Sequence, residues 1–155
     1  METYIVEHRT YICSCMTLSR IALLIAAAGF AGFGIACTVR PEESLDVVDV
    51  RARSSRGKTE LRAMYGGMEL GLGAFFALAA FKPDWARPAL AAQALGLGAV
   101  AATRLGGILS DRPRGKMMPA FAVAEAGAAA IGAVALASIR HQGKSKVASF
   151  DRAVI

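Results

Sequence analysis

Apolar residues run almost unbroken over 21–39, 61–81, 89–109 and 119–139, and polar positions gather in the stretches between and outside those runs. At a helical rise of about 1.5 Å per residue, roughly 20 residues cross a hydrocarbon core near 30 Å thick, and each run is about that long. In lipid every backbone N–H and C=O needs an internal partner, and the runs lack the period-two alternation of barrel strands, so helices are expected. The pattern predicts an all-α fold, an integral membrane four-helix bundle.

The connections set its topology. Lys82 to Pro88 reads as a tight turn in which prolines break the helices and Trp85 suits the headgroup level, and Ser110 to Met118 is equally short. Short connections make consecutive helices antiparallel neighbours, giving an up-down-up-down order. The first connection is longer. Arg40-Pro41-Glu42-Glu43 reads as a helix start, with proline in the first turn and acids at the positive end of the dipole. Leu45, Val47, Val48 and Val50 add an apolar side, which suits a short interfacial helix, and Arg51 to Lys58 then reads as a solvated basic loop. Residues 18–140 thus form the transmembrane domain. Residues 1–17 form an N-terminal extension, in which Met16 offers a second start just ahead of the first span, and 141–155 form a basic tail. Gly34-Ile35-Ala36-Cys37 resembles a lipoprotein cleavage box, but the first apolar run is longer than a signal core of about 7 to 15 residues, so a retained span is expected.

Composition agrees with the membrane reading. The 155 residues are 55% hydrophobic with a mean hydropathy of +0.44, against roughly 45 to 50% apolar in soluble domains. The net charge of +6 is spread over every connection and interleaved with acids, which argues for membrane flanking and against nucleic acid as a partner. Lys144, Lys146 and Arg152 suit an anionic lipid surface. Basic residues divide evenly between the two sides. The acids of the first connection (Glu42, Glu43, Asp46, Asp49 and Glu60) tip the expected orientation towards both termini in the cytoplasm.

Several chemistries drop out. Cys13, Cys15 and Cys37 are too few and too scattered for a disulfide framework or a zinc site, so free thiols and no metal are expected. Gly57-Lys58-Thr59 lacks the upstream glycine of a phosphate loop, that position being Ala52. Gly96-Leu97-Gly98-Ala99-Val100-Ala101 fits a dinucleotide fingerprint but lies inside an apolar helix with no strand before it, so no cofactor is expected. His8 and His141 lie outside the runs, and no Ser-His-Asp or H-E-x-x-H arrangement occurs.

What remains is charge within the spans. Glu69, Arg104 and Glu125 each lie inside an apolar run, and a charge near a membrane centre costs about 2.5 to 3.5 kcal/mol on insertion scales unless it pairs or lines a cavity. By helix rise they sit about 12, 8 and 9 Å from the face that bears the Pro41 and Asp111 connections. At 100° per residue, Arg62, Gly66, Glu69, Gly73, Ala77 and Ala80 share one stripe of the second span, and Gln93, Leu97, Arg104, Gly107 and Asp111 share one of the third. Arg104 between Glu69 and Glu125 is the expected arrangement, since a planar guanidinium can serve two carboxylates, with the Tyr65 hydroxyl as a cap. Gly67 and Gly71 form a second small patch whose spacing lets helices approach closely.

From Arg62-Ala63-Met64-Tyr65-Gly66-Gly67-Met68-Glu69-Leu70-Gly71-Leu72-Gly73, through Arg104-Leu105-Gly106-Gly107 and Ser110-Asp111-Arg112-Pro113, to Glu125, the chain resembles a bacterial family of small four-helix integral membrane proteins classed as domain of unknown function 4345. The resemblance covers Leu18 to Ile139. It implies four spans, places the protein in the bacterial cytoplasmic (inner) membrane, and draws attention to Arg62, Tyr65, Glu69, Arg104 and Glu125. It implies no substrate. The first expected function is a non-enzymatic accessory or scaffold component, partnered by the lipid bilayer and by a second copy or another membrane protein, with its ion pairs specifying the bundle. The alternative is a proton-coupled carrier or ligand-binding protein using the same cluster. A membrane enzyme with Glu69 or Glu125 as acid or base comes third.

Overall fold

Pro83 decides where the second and third spans part. Proline disfavours helical geometry in the residue before it, so Lys82 is extended (φ −115°, ψ 103°) and Pro83 opens the next helix in its first turn. The structure, a computed structural model, describes the backbone of residues 2–153 and the side chains of residues 17–139. Helix α1 covers Glu2–Val39, α2 Pro41–Leu45, α3 Ser55–Leu61, α4 Met68–Phe81, α5 Pro83–Asp111 and α6 Met117–Ala153. A 3-10 turn at Asp46–Val48 follows α2, and a π-helical segment at Arg62–Gly67 joins α3 to α4. Among the described residues there is no strand. Four stretches are long and apolar enough to cross a membrane: Thr17–Val39, Ser55–Phe81, Pro83–Asp111 and Met117–Ile139. The fold is all-α with four spans.

Two local expectations need correction. The stretch 51–58 is not loop throughout, because Ser54 is extended (φ −158°) and its Oγ accepts the Gly57 N–H at 3.2 Å. That cap satisfies one of the open donors of a helix start, and the helix leading into the second span begins at Ser55. The turn expected over 82–88 shrinks to Lys82 alone, with Pro88 inside α5. Pro88 is exposed and only one turn from the helix start, where losing a single bond to the Asp84 carbonyl is tolerable.

All four spans meet only towards the Lys82 end. There Ala22, Leu23, Ala26 and Ala27 of α1 pack with Phe76 and Ala79 of α4, Ala89 and Leu90 of α5, and Ala135 of α6. Phe30 and Phe75 tilt onto the Phe76 ring at 5.3 and 5.5 Å. Beyond this core the helices continue mainly as two antiparallel pairs, α1 with α4 and α5 with α6. The first pair is close because glycine allows it. A Cβ on Gly34 would lie 2.8 Å from the Leu70 nitrogen, one on Gly73 would lie 2.9 Å from the Ala31 nitrogen, and one on Gly66 would strike the Thr38 hydroxyl. The outer faces carry large apolar side chains in the open, with Leu95, Val123 and Leu109 at 76%, 73% and 69% exposure. Water would not tolerate that surface; lipid solvates it.

The first connection folds back onto the bundle. Pro41 and Leu45 are buried, and Cys37 beneath them is fully covered. Helix α2 packs on the end of α1 and on the π segment, while the 3-10 turn reaches α6. Leu45 therefore points inward, and Val47 takes the exposed side expected of an interfacial segment.

Candidate functional site

Arg104 is held by side chains of a single neighbouring helix, α6. Its Nε donates to Glu125 Oε2 at 2.8 Å, its Nη2 donates to Glu125 Oε1 at 2.6 Å, and its Nη1 approaches the Met118 sulfur at 3.6 Å. The Phe121 ring faces the guanidinium carbon at 5.4 Å. Met118, Phe121 and Glu125 recur at the three-and-four spacing of one face of α6, so one helix supplies the whole surround. The pair is largely buried, with side-chain exposures of 26% and 18%. This fork-on-fork geometry is the strongest form of arginine–carboxylate contact, with donors and charge matched at once.

About three helical turns closer to the shared core, Gln93 makes a second polar tie between the same helices. Its Nε2 donates to the Ala128 carbonyl at 3.0 Å, and Gly132 leaves room for the amide, since a Cβ there would sit 3.2 Å from the Gln93 Cδ. The side chain is buried at 2% exposure and its Oε1 has no donor. The α5 stripe that carries Gln93 and Arg104 therefore faces α6, and α5 and α6 are locked in register at two levels.

Glu69 does not join this pair. It lies on α4, which packs along α1, on the stretch that faces Gly34 to Thr38 and so lies near Cys37. Among the described residues Glu69 takes part in no ion pair. The expected three-way arrangement is thus replaced by an Arg104–Glu125 pair and a separate Glu69. The physical reason is that the stripe carrying Gly66, Glu69 and Gly73 faces α1, along which α4 packs far more extensively than along α5.

The remaining candidates are distributed along the α3–α4 helix. Arg62 is exposed, and its Nε donates to the Thr38 carbonyl at 3.1 Å, tying the π segment to the end of α1. Tyr65 is 39% exposed and is not among the partners of Arg104. Gly66 and Gly73 lie buried against α1, whereas a Cβ on Gly71 would meet nothing within 4 Å and one on Gly67 only the carbonyl of Arg62 in its own helix. Gly107 likewise faces only Asp111 of its own helix. No group of three or more His, Cys, Asp or Glu suited to a metal ion occurs among the described residues. Sequence reading missed Cys37 as a group close to Glu69 across α1 and α4. The four-residue spacing Cys37, Pro41, Leu45 carries one buried stripe from α1 into α2 and was the available signal.

Family comparison converges on the same segments. The family described as Domain of unknown function (DUF4345) matches residues 18–140, which contain all four spans, the π segment and the Arg104–Glu125 pair. The chain belongs to the DUF4345 family. No curated protein and no solved structure matches it. For this DUF4345 member the functional reading therefore rests on the chemistry of its own side chains. Cys13 and Cys15, and the basic residues of the 141–155 tail, lie outside the residues whose side chains are described.

Proposed function

We propose that this chain is a non-enzymatic accessory or scaffold protein of a bacterial cytoplasmic membrane, with both termini on the cytoplasmic side. It would present its lipid-facing helices to a membrane partner or to a second copy of itself. The supporting observation is the two-pronged pairing of Arg104 with Glu125. Both donating edges of the guanidinium are taken by Glu125 and Met118 of one helix, which leaves the group suited to fixing helix register and poorly suited to catching a ligand. A paired charge of this kind does little for net stability but strongly penalises loss of one partner, because the other is left unpaired in a low-dielectric site.

Thermal unfolding in detergent tests the reading. Arg104→Leu or Glu125→Leu alone should destabilise by about 3 to 5 kcal/mol, while Arg104→Leu with Glu125→Leu should recover most of that loss. Full stability in either single variant would remove the structural role. The carrier reading keeps one specific support: Glu69, in a membrane span, takes part in no ion pair among the described residues. Liposomes containing the protein and a trapped pH dye decide between the two. The scaffold reading expects no proton flux above empty liposomes, and flux that disappears in a folded Glu69→Gln variant would replace it with the carrier.

A further inference from the structure

The first connection is built as a plug. We infer that Pro41–Val48 is a hinged gate over Cys37 and Glu69, controlling access from the membrane face that carries the Pro41 connection to a carboxylate that the Arg104–Glu125 pair leaves aside. The inference stands apart from the proposed function, since it uses neither Arg104 nor Glu125.

Four observations build it. The segment is anchored by apolar contacts: Pro41 is fully buried and Leu45 is 2% exposed, on a helix that packs against the end of α1 and the π segment. Beneath the anchor, Cys37 has no exposed surface and lies close to Ser44 of α2, and its stretch of α1 runs against the Glu69 stretch of α4, with Gly34 against the Leu70 backbone and Thr38 against Gly66. A polar latch fastens the outer side, where the Lys58 Nζ donates to Glu42 Oε2 at 2.8 Å across sixteen residues of chain. Finally, both ends of the segment bend without helical geometry. Arg40 sits at φ −131° and ψ 67°, and Asp49 is left-handed at φ 58°. Helix α2 is short and draws little stability from its own backbone bonds. Its position depends on two buried side chains and a half-exposed ion pair, the usual build of an element that opens on its own. Opening would carry Ser44 away from Cys37 and let water, protons or small cations reach Glu69.

Cys37 reports the gate directly. The full-length protein carrying Cys13→Ser and Cys15→Ser, reconstituted in liposomes, would be treated with N-ethylmaleimide, which crosses bilayers and so reads every molecule whatever its orientation. Labelling of Cys37 should be at least a hundredfold slower than labelling of a thiol introduced at exposed Ser54 (Ser54→Cys). It should accelerate about tenfold in Lys58→Glu, which sets two carboxylates against each other at the latch, and return towards the starting rate when Glu42→Lys is added. Leu45→Ser should accelerate it further. If that variant fails to fold, the charge-swapped pair still decides. In the same Cys13→Ser, Cys15→Ser background, Ser44→Cys should form a disulfide with Cys37 under mild oxidation. Labelling of Cys37 as fast as at Ser54, the same rate in all folded latch variants, or no cross-link from Ser44→Cys would each overturn the gate.

Discussion

Glycine at 66 and 73 sets how near α4 can come to α1, and the distances make the two positions unlike their neighbours. A methyl group on Gly73 would fall within 2.9 Å of the Ala31 backbone nitrogen, an atom that can move only if the helix moves. At Gly71 the same methyl meets nothing within 4 Å. Gly73→Ala should therefore lower the melting temperature in detergent, whereas Gly71→Ala should leave it unchanged or raise it slightly, since alanine is favoured over glycine in helices by about 1 kcal/mol. Equal effects at both positions would show that α1 and α4 are not in close contact. Sequence periodicity put Gly66 and Gly73 on one stripe, and both lie against α1. It could not say that the inward neighbour was α1, because a stripe on one helix gives a direction and no address.

At the scale of elements, the π segment is a feature that the sequence concealed. A π turn holds about one residue more than an α turn, and such bulges recur where function or packing requires an offset. Arg62–Gly67 contains the R-x-x-Y-G-G stretch within the matched region of DUF4345. The offset lets Arg62 reach the Thr38 carbonyl while Gly66 still seats against Thr38. Phase drawn at 100° per residue across this segment is wrong by roughly the angle of one residue. Glu69 lies beyond the segment on the same α1-facing stripe as Gly66 and Gly73, so its separation from Arg104 reflects the pairing of α4 with α1, whereas Gln93 and Arg104 both reach α6 from α5. The same logic gives a deletion test. Removing Ala63 should relax the π turn to α geometry and leave a folded, monodisperse protein. Removing Leu72, within regular helix, should rotate everything on one side of it by about 100° and abolish stable folding. Tolerance of both deletions, measured by size-exclusion profile and unfolding temperature, would deny the π segment its role as a spacer.

Over the whole molecule, four spans were legible because the bilayer leaves so few choices: long apolar runs without alternation must be helices. Which helices pair along their length was not legible, since connectivity fixes neighbours only at the connected end. The structure separates a shared core near Lys82 from lipid-facing surfaces, and substitutions should feel the difference. Phe76→Ala opens a hole among all four helices and should cost about 3 kcal/mol, since truncating a buried aromatic forfeits many close contacts. Leu95→Ala, at a position 76% exposed, exchanges one lipid contact for another and should change the unfolding free energy by less than about 0.5 kcal/mol. Comparable losses at both sites would mean that the Leu95 face is covered by protein.

The Arg104–Glu125 pair also bears on how the chain enters the bilayer. Its two halves sit on consecutive helices joined only by residues 112–116, so the carboxylate and guanidinium meet within one hairpin. Neither α5 nor α6 has to partition into lipid bearing a naked charge. During biosynthesis the two segments can leave the translocation channel together, as a neutral unit, before α1 and α4 have settled against them.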